Sequence, residues 1–183
     1  MNRNRLSITL QTALNDQMTR EASASQLYLS FGAWAHRQGF EGIGSFLFRH
    51  AEEERDHMTK LMEYILTRGG EALIVAIPAP PAHPTTINNC FEMVFSHEVE
   101  NTRAIYKLVK MSLTEEDWAT WNFLQWFVQE QVEEETLAGH LLDKLKIAGG
   151  DKALGDTLYL LDRELNSSSG TIEPAESVTA AKP

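Results

Sequence analysis

The chain has 183 residues, 43% of them hydrophobic and 23% charged, which is ordinary for one globular domain with a sizeable core. Its formal net charge of -10 argues against a nucleic-acid-binding surface and favours the attraction of cations. No segment approaches the roughly 20 apolar residues of a membrane span, and the N-terminal MNRNRLSITL lacks the apolar stretch of a secretory signal, so a cytoplasmic protein is expected.

Four long segments show the periodicity of amphipathic helices, and none alternates as a strand does. The first three cover about residues 7–36, 41–68 and 86–111. The fourth begins after Thr114, the expected N-cap with acidic residues in the following turn, and ends at Gly149. A short fifth helix, over about residues 151–165, is expected to place three leucines on one face: Leu154, Leu158 and Leu161.

The C-terminal stretch SSSGTIEPAESVTAAKP, residues 167–183, is rich in small and polar residues. Such a composition cannot bury enough apolar surface to offset the entropy of ordering the chain. It therefore predicts a flexible tail behind a single domain of residues 1–166. No role is assigned to this tail, and its removal is expected to leave assembly and chemistry intact.

The connection between the second and third helices is long and proline-rich, over residues 69–84. Antiparallel neighbours need only about 2–8 residues of loop. At about 3.3 Å per residue this segment can span ~50 Å, whereas a helix over residues 41–68 is only ~42 Å long. The loop can therefore travel the length of the bundle, so that the third helix runs parallel to the second. The length of the loop therefore favours a bundle with one long crossover over one with only short connections.

Helical phase shows where the charged residues point, because positions seven apart share a helix face. Two rows of the second helix place a polar residue at mid-helix among apolar or aromatic neighbours: Leu47–Glu54–Leu61 and His50–His57–Tyr64. The same periodicity places Glu21 in the apolar stripe of the first helix, Glu98 in that of the third, and Glu130 and Glu134 in that of the fourth.

A single glutamate on an apolar face is more often a boundary residue or half of a salt bridge than a ligand. Five at mid-helix levels are harder to explain in that way. Burying one carboxylate uncompensated costs several kcal/mol, and the inward rows contain no Lys or Arg to neutralise the group. A bound multivalent metal is the simplest solution.

The types of ligand indicate which metal is bound. Carboxylates with one imidazole and no thiolate argue against structural zinc and favour iron or manganese, as a pair that shares a carboxylate. Glu54 and His57, three residues apart, can reach one ion. An ExxH pattern alone is weak evidence, but with inward carboxylates on three partner helices it predicts a metal site.

The sequence resembles the non-haem bacterial ferritins over residues 8–165. The similar stretches are LNDQMTREASASQLY (14–28), FEGIGSFLFRHAEEERDHM (40–58), HE (97–98), NFLQWFVQEQVEEE (122–135) and LYLLDREL (158–165). The resemblance implies an all-α, ferritin-like four-helix bundle with one long crossover between helices 2 and 3 and a short fifth C-terminal helix. It also implies iron storage and detoxification by a ferroxidase, in which Fe(II) is oxidised by dioxygen and deposited as Fe(III) mineral inside a shell of 24 subunits.

The resemblance also implies three iron positions that share ligands. The di-iron centre would use Glu21, Glu54 and His57 for its first iron, and Glu54, Glu98 and Glu134 for its second. Gln131 matches a hydrogen-bonding glutamine of the family, and Tyr28 matches the tyrosine beside the centre. A third site would be formed by Glu53, Glu130, Glu133 and Glu134.

Departures from related families narrow this interpretation. Only one ExxH motif is present, whereas bacterioferritin-like and ribonucleotide-reductase-like bundles have two. Arg55 occupies the position at which bacterioferritin has its haem-ligating methionine, so no haem is expected. Three alternatives stay open: a ferritin-like cage with slow or absent turnover, another di-iron carboxylate protein, and a metal-free helical interaction bundle.

Overall fold

The structure, a computed structural model, describes residues 3–167, and every regular element in that range is helical. The described residues form five α-helices and one 3-10 turn: α1 Ile8–Arg37, α2 Glu41–Thr67, α3 Ile87–Thr114, α4 Trp118–Ala148, the turn Gly150–Lys152, and α5 Gly155–Ser167. The predicted all-α fold is confirmed. Most of the tail expected over residues 167–183 lies outside the described residues.

The start of α4 differs from the prediction. Thr114 is the last residue of α3, and the N-cap of α4 is Asp117, whose carboxylate accepts a hydrogen bond from the backbone N–H of Thr120 at 3.0 Å. The chain reverses direction between the two helices with Glu116 in the left-handed region at a φ of +55°. Both Thr114 and Asp117 are good capping residues, and the sequence does not reveal which one the reversal selects.

The crossover between α2 and α3 connects opposite ends of the bundle. Near its start, Asn15 of α1 binds it twice: the Asn15 amide donates to the carbonyl of Glu71 at 3.0 Å, and its oxygen accepts from the N–H of Leu73 at 2.6 Å. At its far end, Thr86 donates a hydrogen bond to Asp151, just beyond α4, at 2.6 Å. The predicted long crossover is therefore present.

The apolar core is divided into two clusters, one toward each end of the bundle. One contains Phe31, Leu47, Phe91 and Leu141, among others. The other contains Leu14, Leu61, Ile105 and Phe127, among others. On each of the four long helices, buried polar residues lie between the two clusters in sequence. The bundle therefore has a polar layer at its centre.

The fifth helix packs against the start of α2. Asp162 accepts a hydrogen bond from the backbone N–H of Ile43 at 2.8 Å, and a Cβ on Gly42 would be 1.8 Å from the carbonyl oxygen of Asp162. Leu161 is buried as predicted, but Leu154 is 75% exposed because it precedes α5 and does not belong to its buried face. None of the described helices has the length and apolar character needed to cross a membrane.

Candidate metal centre

Each of the four long helices places one buried carboxylate in the polar layer. The exposed fractions are 0% for Glu21, 2% for Glu54, 0% for Glu98 and 9% for Glu134. His57, one turn after Glu54 on α2, is 5% exposed. Helical phase therefore predicts the correct orientation for all five side chains, which come from distant parts of the chain.

Three of these residues form a compact group of ligand atoms. Each of them offers one ligand atom, and the three atoms, from Glu21, Glu54 and His57, lie within 4.8 Å of one another. The ring of His57 meets two aromatic residues of α4 edge-on, with centroid distances of 5.3 Å to Trp126 and 6.1 Å to Phe127. These contacts restrict the rotation of the imidazole and hold it on the side of the bundle that faces α4.

Glu54 is the least satisfied of the carboxylates. Its Oε2 atom is buried without a hydrogen bond, and it lies 3.4 Å from Nδ1 of His57. Burial raises the pKa of Glu54 well above its usual range, and repulsion by Glu21 and Glu98 raises it further. A divalent cation beside this oxygen would offset both the cost of desolvation and the repulsion, so the site fits a metal ion.

Glu98 is oriented by neighbours from two other helices. The hydroxyl of Tyr28 on α1 donates to its Oε1 atom at 2.6 Å, and the Nε2 atom of Gln131 on α4 lies 3.4 Å from its Oε2 atom. Burial and the nearby carboxylates raise the pKa of Tyr28 well above its usual value, so the phenol stays protonated as a donor. Tyr28 and Gln131 thus lie beside the cluster, where the resemblance put them.

A second group lies beside the first and contains a histidine that the sequence did not single out as a ligand. Ligand atoms of His50, Glu53 and Glu134 lie within 4.8 Å of one another. Nδ1 of His50 is 2.9 Å from Glu53 and 3.6 Å from Glu134. The sequence does indicate that His50 points inward, because this residue lies seven positions before His57 on the same inward row.

Electrostatics distinguish the members of this second group. Burial raises the pKa of Glu134 to about 7, although His50 opposes the shift. The hydrogen bond from His50 lowers the pKa of Glu53 despite partial burial. Burial alone would lower the pKa of His50, but its carboxylate neighbours raise it above the usual value. The imidazole is therefore the main positive partner that this acidic group has.

Two predicted ligands of the third site are more peripheral. Glu130 is partly buried, and burial raises its pKa. Glu133 is exposed and accepts a hydrogen bond from Gln129 at 2.9 Å. Among the described residues, neither belongs to a group of three ligand atoms within 4.8 Å. Glu130 was predicted to lie on an inward row of α4, and in the structure it is only partly buried because it lies at the edge of the buried stripe.

Sequence reasoning also missed two buried amides next to Glu21. Gln17 is 3% exposed and Asn101 is 1% exposed, and both donate hydrogen bonds to the Glu21 carboxylate. Gln17 precedes Glu21 by one helical turn, which was the available signal. Asn101 follows Glu98 by three residues, but only the packing of α3 on α1 reveals its contact with Glu21.

The donor set of the two groups is composed of carboxylate oxygens and imidazole nitrogens. The one cysteine, Cys90, belongs to the apolar cluster at one end of the bundle, and burial raises its pKa to about 12, so it offers no thiolate. Oxygen-rich sets with imidazole suit iron and manganese, and more than four ligands at one level can hold more than one ion. The two groups therefore offer ligands that suit a redox-active divalent metal inside a helical bundle.

These features define a four-helix bundle with a buried cluster of carboxylates and histidines that could hold metal, and the sequence comparison identifies its family. The profile of the ferritin-like domain matches residues 11–148, and the chain belongs to this family. A probable bacterial non-heme ferritin-like protein of Haemophilus influenzae is 43% identical over 164 residues, covering 90% of this chain and 98% of that protein. The bacterial non-heme ferritin of Escherichia coli is 39% identical over 154 residues, covering 84% of this chain and 92% of that protein.

Comparison with solved structures also finds ferritins. The open pore ferritin of Archaeoglobus fulgidus superposes with a TM-score of 0.85 at 37% identity, covering 89% of this chain and 98% of that one. The match includes nearly the whole of that ferritin chain. The predicted ferritin-like bundle is confirmed.

Proposed function

We propose that the protein stores and detoxifies iron as a ferroxidase, oxidising Fe(II) with dioxygen within the bundle and depositing Fe(III) mineral inside a multi-subunit shell. The observation that carries the proposal is the unpartnered Oε2 atom of Glu54, buried among carboxylates from three other helices. Such a group is unstable without a cation, and a bound divalent ion stabilises it. Iron is the substrate of this centre and the cargo of the shell.

Two Fe(II) ions bind in the polar layer, one on each side of Glu54. Glu21 and His57 bind the first, Glu98 and Glu134 bind the second, and Glu54 bridges them. Each Fe(II) would give up one electron, so that two Fe(II) and two protons from water would reduce one dioxygen to hydrogen peroxide and leave two Fe(III). Tyr28 and Gln131 keep Glu98 in place through the 2.6 Å and 3.4 Å contacts described above.

A third iron position lies beside this pair. The compact group of His50, Glu53 and Glu134 supports it, with Glu130 and Glu133 as the more peripheral acids toward the surface. Because Glu134 belongs to both the second and third positions, iron can pass from the pair to the third site by exchanging ligands. Glu53 is half exposed and so lies at the side from which an ion can leave.

Assembly into a 24-subunit shell is the second part of the proposal. Several large apolar side chains of the single chain are exposed and suited to contacts between subunits, among them Leu160 at 54%, Trp118 at 63% and Ile147 at 88%. Burial of such residues in subunit contacts would remove them from water. The likeness to ferritin structures over nearly their whole length supports the same assembly.

One experiment tests both parts. Fe(II) is added aerobically to the purified protein, its oxidation is followed by absorbance in the near ultraviolet, and size-exclusion chromatography gives the assembly state. We expect a large shell that oxidises Fe(II) faster than buffer does. A large shell without accelerated oxidation would indicate a cage with slow turnover, and a monomer without it would indicate a metal-free bundle.

A further inference from the structure

The carboxylate of Glu21 is held by two buried amides, one at each oxygen. Nε2 of Gln17 donates to Oε1 at 2.7 Å, and Nδ2 of Asn101 donates to Oε2 at 3.1 Å. All three side chains are almost completely buried. Because the two donors approach different oxygens from different helices, rotation of the carboxylate would break at least one of these bonds. Its plane is therefore fixed before any ion binds.

The same amides form a continuous connection across the bundle. Gln17 uses its second N–H to donate to Oδ1 of Asn101 at 2.7 Å. Asn101 uses its second N–H to donate to Oε1 of Gln131 at 3.3 Å, and Gln131 in turn lies 3.4 Å from Glu98. The amide nitrogens of all three residues donate, and the amide oxygens of Asn101 and Gln131 each accept one of these hydrogen bonds, which fixes the orientation of the series.

This connection links the two iron positions without passing through an ion. It begins at Glu21, assigned to the first position, and ends at Glu98, assigned to the second. Asn101 is the central member, because it alone contacts both Glu21 and Gln131. It follows Glu98 by three residues, where a Glu-x-x-His motif would have its histidine. An amide at this position supplies donors to carboxylates rather than a lone pair to a metal.

We propose that Asn101 is a positioning residue that, with Gln17, fixes the carboxylate of Glu21 for the first metal ion and, through Gln131, couples the first metal position to the second. This inference rests on the proposed function and adds residues that act on the ligands instead of binding iron. Such supporting hydrogen bonds typically change metal affinity about 10- to 100-fold.

The test uses Co(II), a probe that binds oxygen and nitrogen ligands and whose visible absorption reports its coordination geometry without turnover. The full-length assembled protein is titrated with Co(II) as the wild type, as Asn101→Leu and as Gln17→Met. These substitutions keep approximate size and remove the amide donors. Thermal unfolding and size-exclusion chromatography establish that each variant is folded and assembled.

We expect Asn101→Leu to weaken binding of the first Co(II) about 10-fold, to change its absorption spectrum and to weaken the second Co(II) as well. Gln17→Met is expected to weaken the first Co(II) and to leave the second unchanged, because the link from Asn101 to Gln131 remains. The matched control is Asn15→Leu on α1, which removes a different buried asparagine, whose side chain bonds to backbone groups of residues 11, 71 and 73. Its Co(II) affinity and spectrum should equal those of the wild type.

Wild-type affinity and an unchanged spectrum in Asn101→Leu would overturn the inference while leaving the proposed function intact. If the wild type itself bound no Co(II), the proposed function would fail first. If Asn101→Leu did not fold, Gln17→Met would test the inference instead. Wild-type affinity for the first Co(II) in Gln17→Met would contradict the proposal that the amides fix the Glu21 carboxylate. Equal losses of Co(II) affinity in Asn15→Leu and Asn101→Leu would also contradict the inference, because the effect would then follow from replacing any buried asparagine.

Discussion

The two groups of candidate ligands differ in how completely the bundle encloses them. The central group, Glu21, Glu54 and His57 with Glu98, is buried to 5% exposure or less. The adjacent group of His50, Glu53 and Glu134 opens toward the surface, where the Glu53 side chain is 51% exposed. Enclosure favours tight and geometrically defined binding, whereas an open side allows an ion to leave.

The two groups also differ in how the charge of their carboxylates is balanced in the absence of metal. In the central group, Glu54 is destabilised as an anion, since burial raises its pKa, and its Oε2 atom has no hydrogen bond. In the adjacent group, His50 lowers the pKa of Glu53 and opposes the rise in the pKa of Glu134. In the central group a proton or a bound cation must therefore neutralise Glu54, whereas the imidazole of His50 partly balances the charge of the adjacent group.

The largest expected effect tests the central group. Glu54→Ala should slow the initial oxidation of Fe(II) by more than about 100-fold, since residues that merely support ligands already contribute about 10- to 100-fold and Glu54 is placed to touch both irons. Glu133→Ala, the matched control, removes an exposed carboxylate and should slow the same initial rate far less. Equal rates in the two variants would exclude the bridging role of Glu54.

A second prediction concerns stability and pH in the metal-free protein. The folded pKa of Glu134 is about 7, above the ordinary value of 4.5 that applies in the unfolded chain. Its contribution to stability is therefore fully present below pH 4.5 and is lost as pH rises to about 7. A shift of this size corresponds to about 3 kcal/mol in the free energy of unfolding.

Thermal unfolding in the presence of a chelator, compared at pH 5 and pH 8, measures this loss. Glu134→Gln should show a smaller decrease in melting temperature between the two pH values than the wild type does. Glu133→Gln, which changes an exposed side chain, should keep the wild-type decrease. A Glu134→Gln variant with the full wild-type decrease would mean that Glu134 does not carry the shift.

The third metal ion, in the adjacent group, is expected to depend more on His50 than on Glu133. His50→Leu should weaken the third metal ion per subunit by about 10-fold or more while the first two Co(II) equivalents bind as in the wild type. Glu133→Ala should weaken the third ion less, because its carboxylate lies outside the compact group. Calorimetric titration measures the affinity for the third metal ion in each variant. A larger loss in Glu133→Ala would favour the acids expected from the family resemblance over His50.

The smallest expected effect is that of the C-terminal tail. Ending the chain at Ser167 keeps Leu161 and Leu165, which anchor α5 in the apolar cluster next to α2. Assembly measured by size-exclusion chromatography and the rate of iron oxidation should therefore match those of the full chain. A collapse to dimers would show that residues 168–183 take part in contacts between subunits.

Much of the site could be predicted because helical periodicity is a local property. The flanking leucines of Glu54 and its spacing from His57 are enough to define the buried face of α2, and the same holds for the faces that carry Glu21, Glu98 and Glu134. Residues at the edges of a face are harder to predict. The row of Glu130 indicates an inward side chain, but this residue is only partly buried.

The sequence by itself determined the helices, most of their inward faces, the crossover and the presence of carboxylates and histidines in the core, because each depends on residue type and spacing along one segment. The tertiary structure decided which inward groups meet. It paired Asn101 of α3 with Glu21 of α1, placed His50 against Glu134, and selected Asp117 over Thr114 as the N-cap of α4. These outcomes depend on distances between helices that are far apart in the chain, and a periodic pattern within one helix contains no such distance.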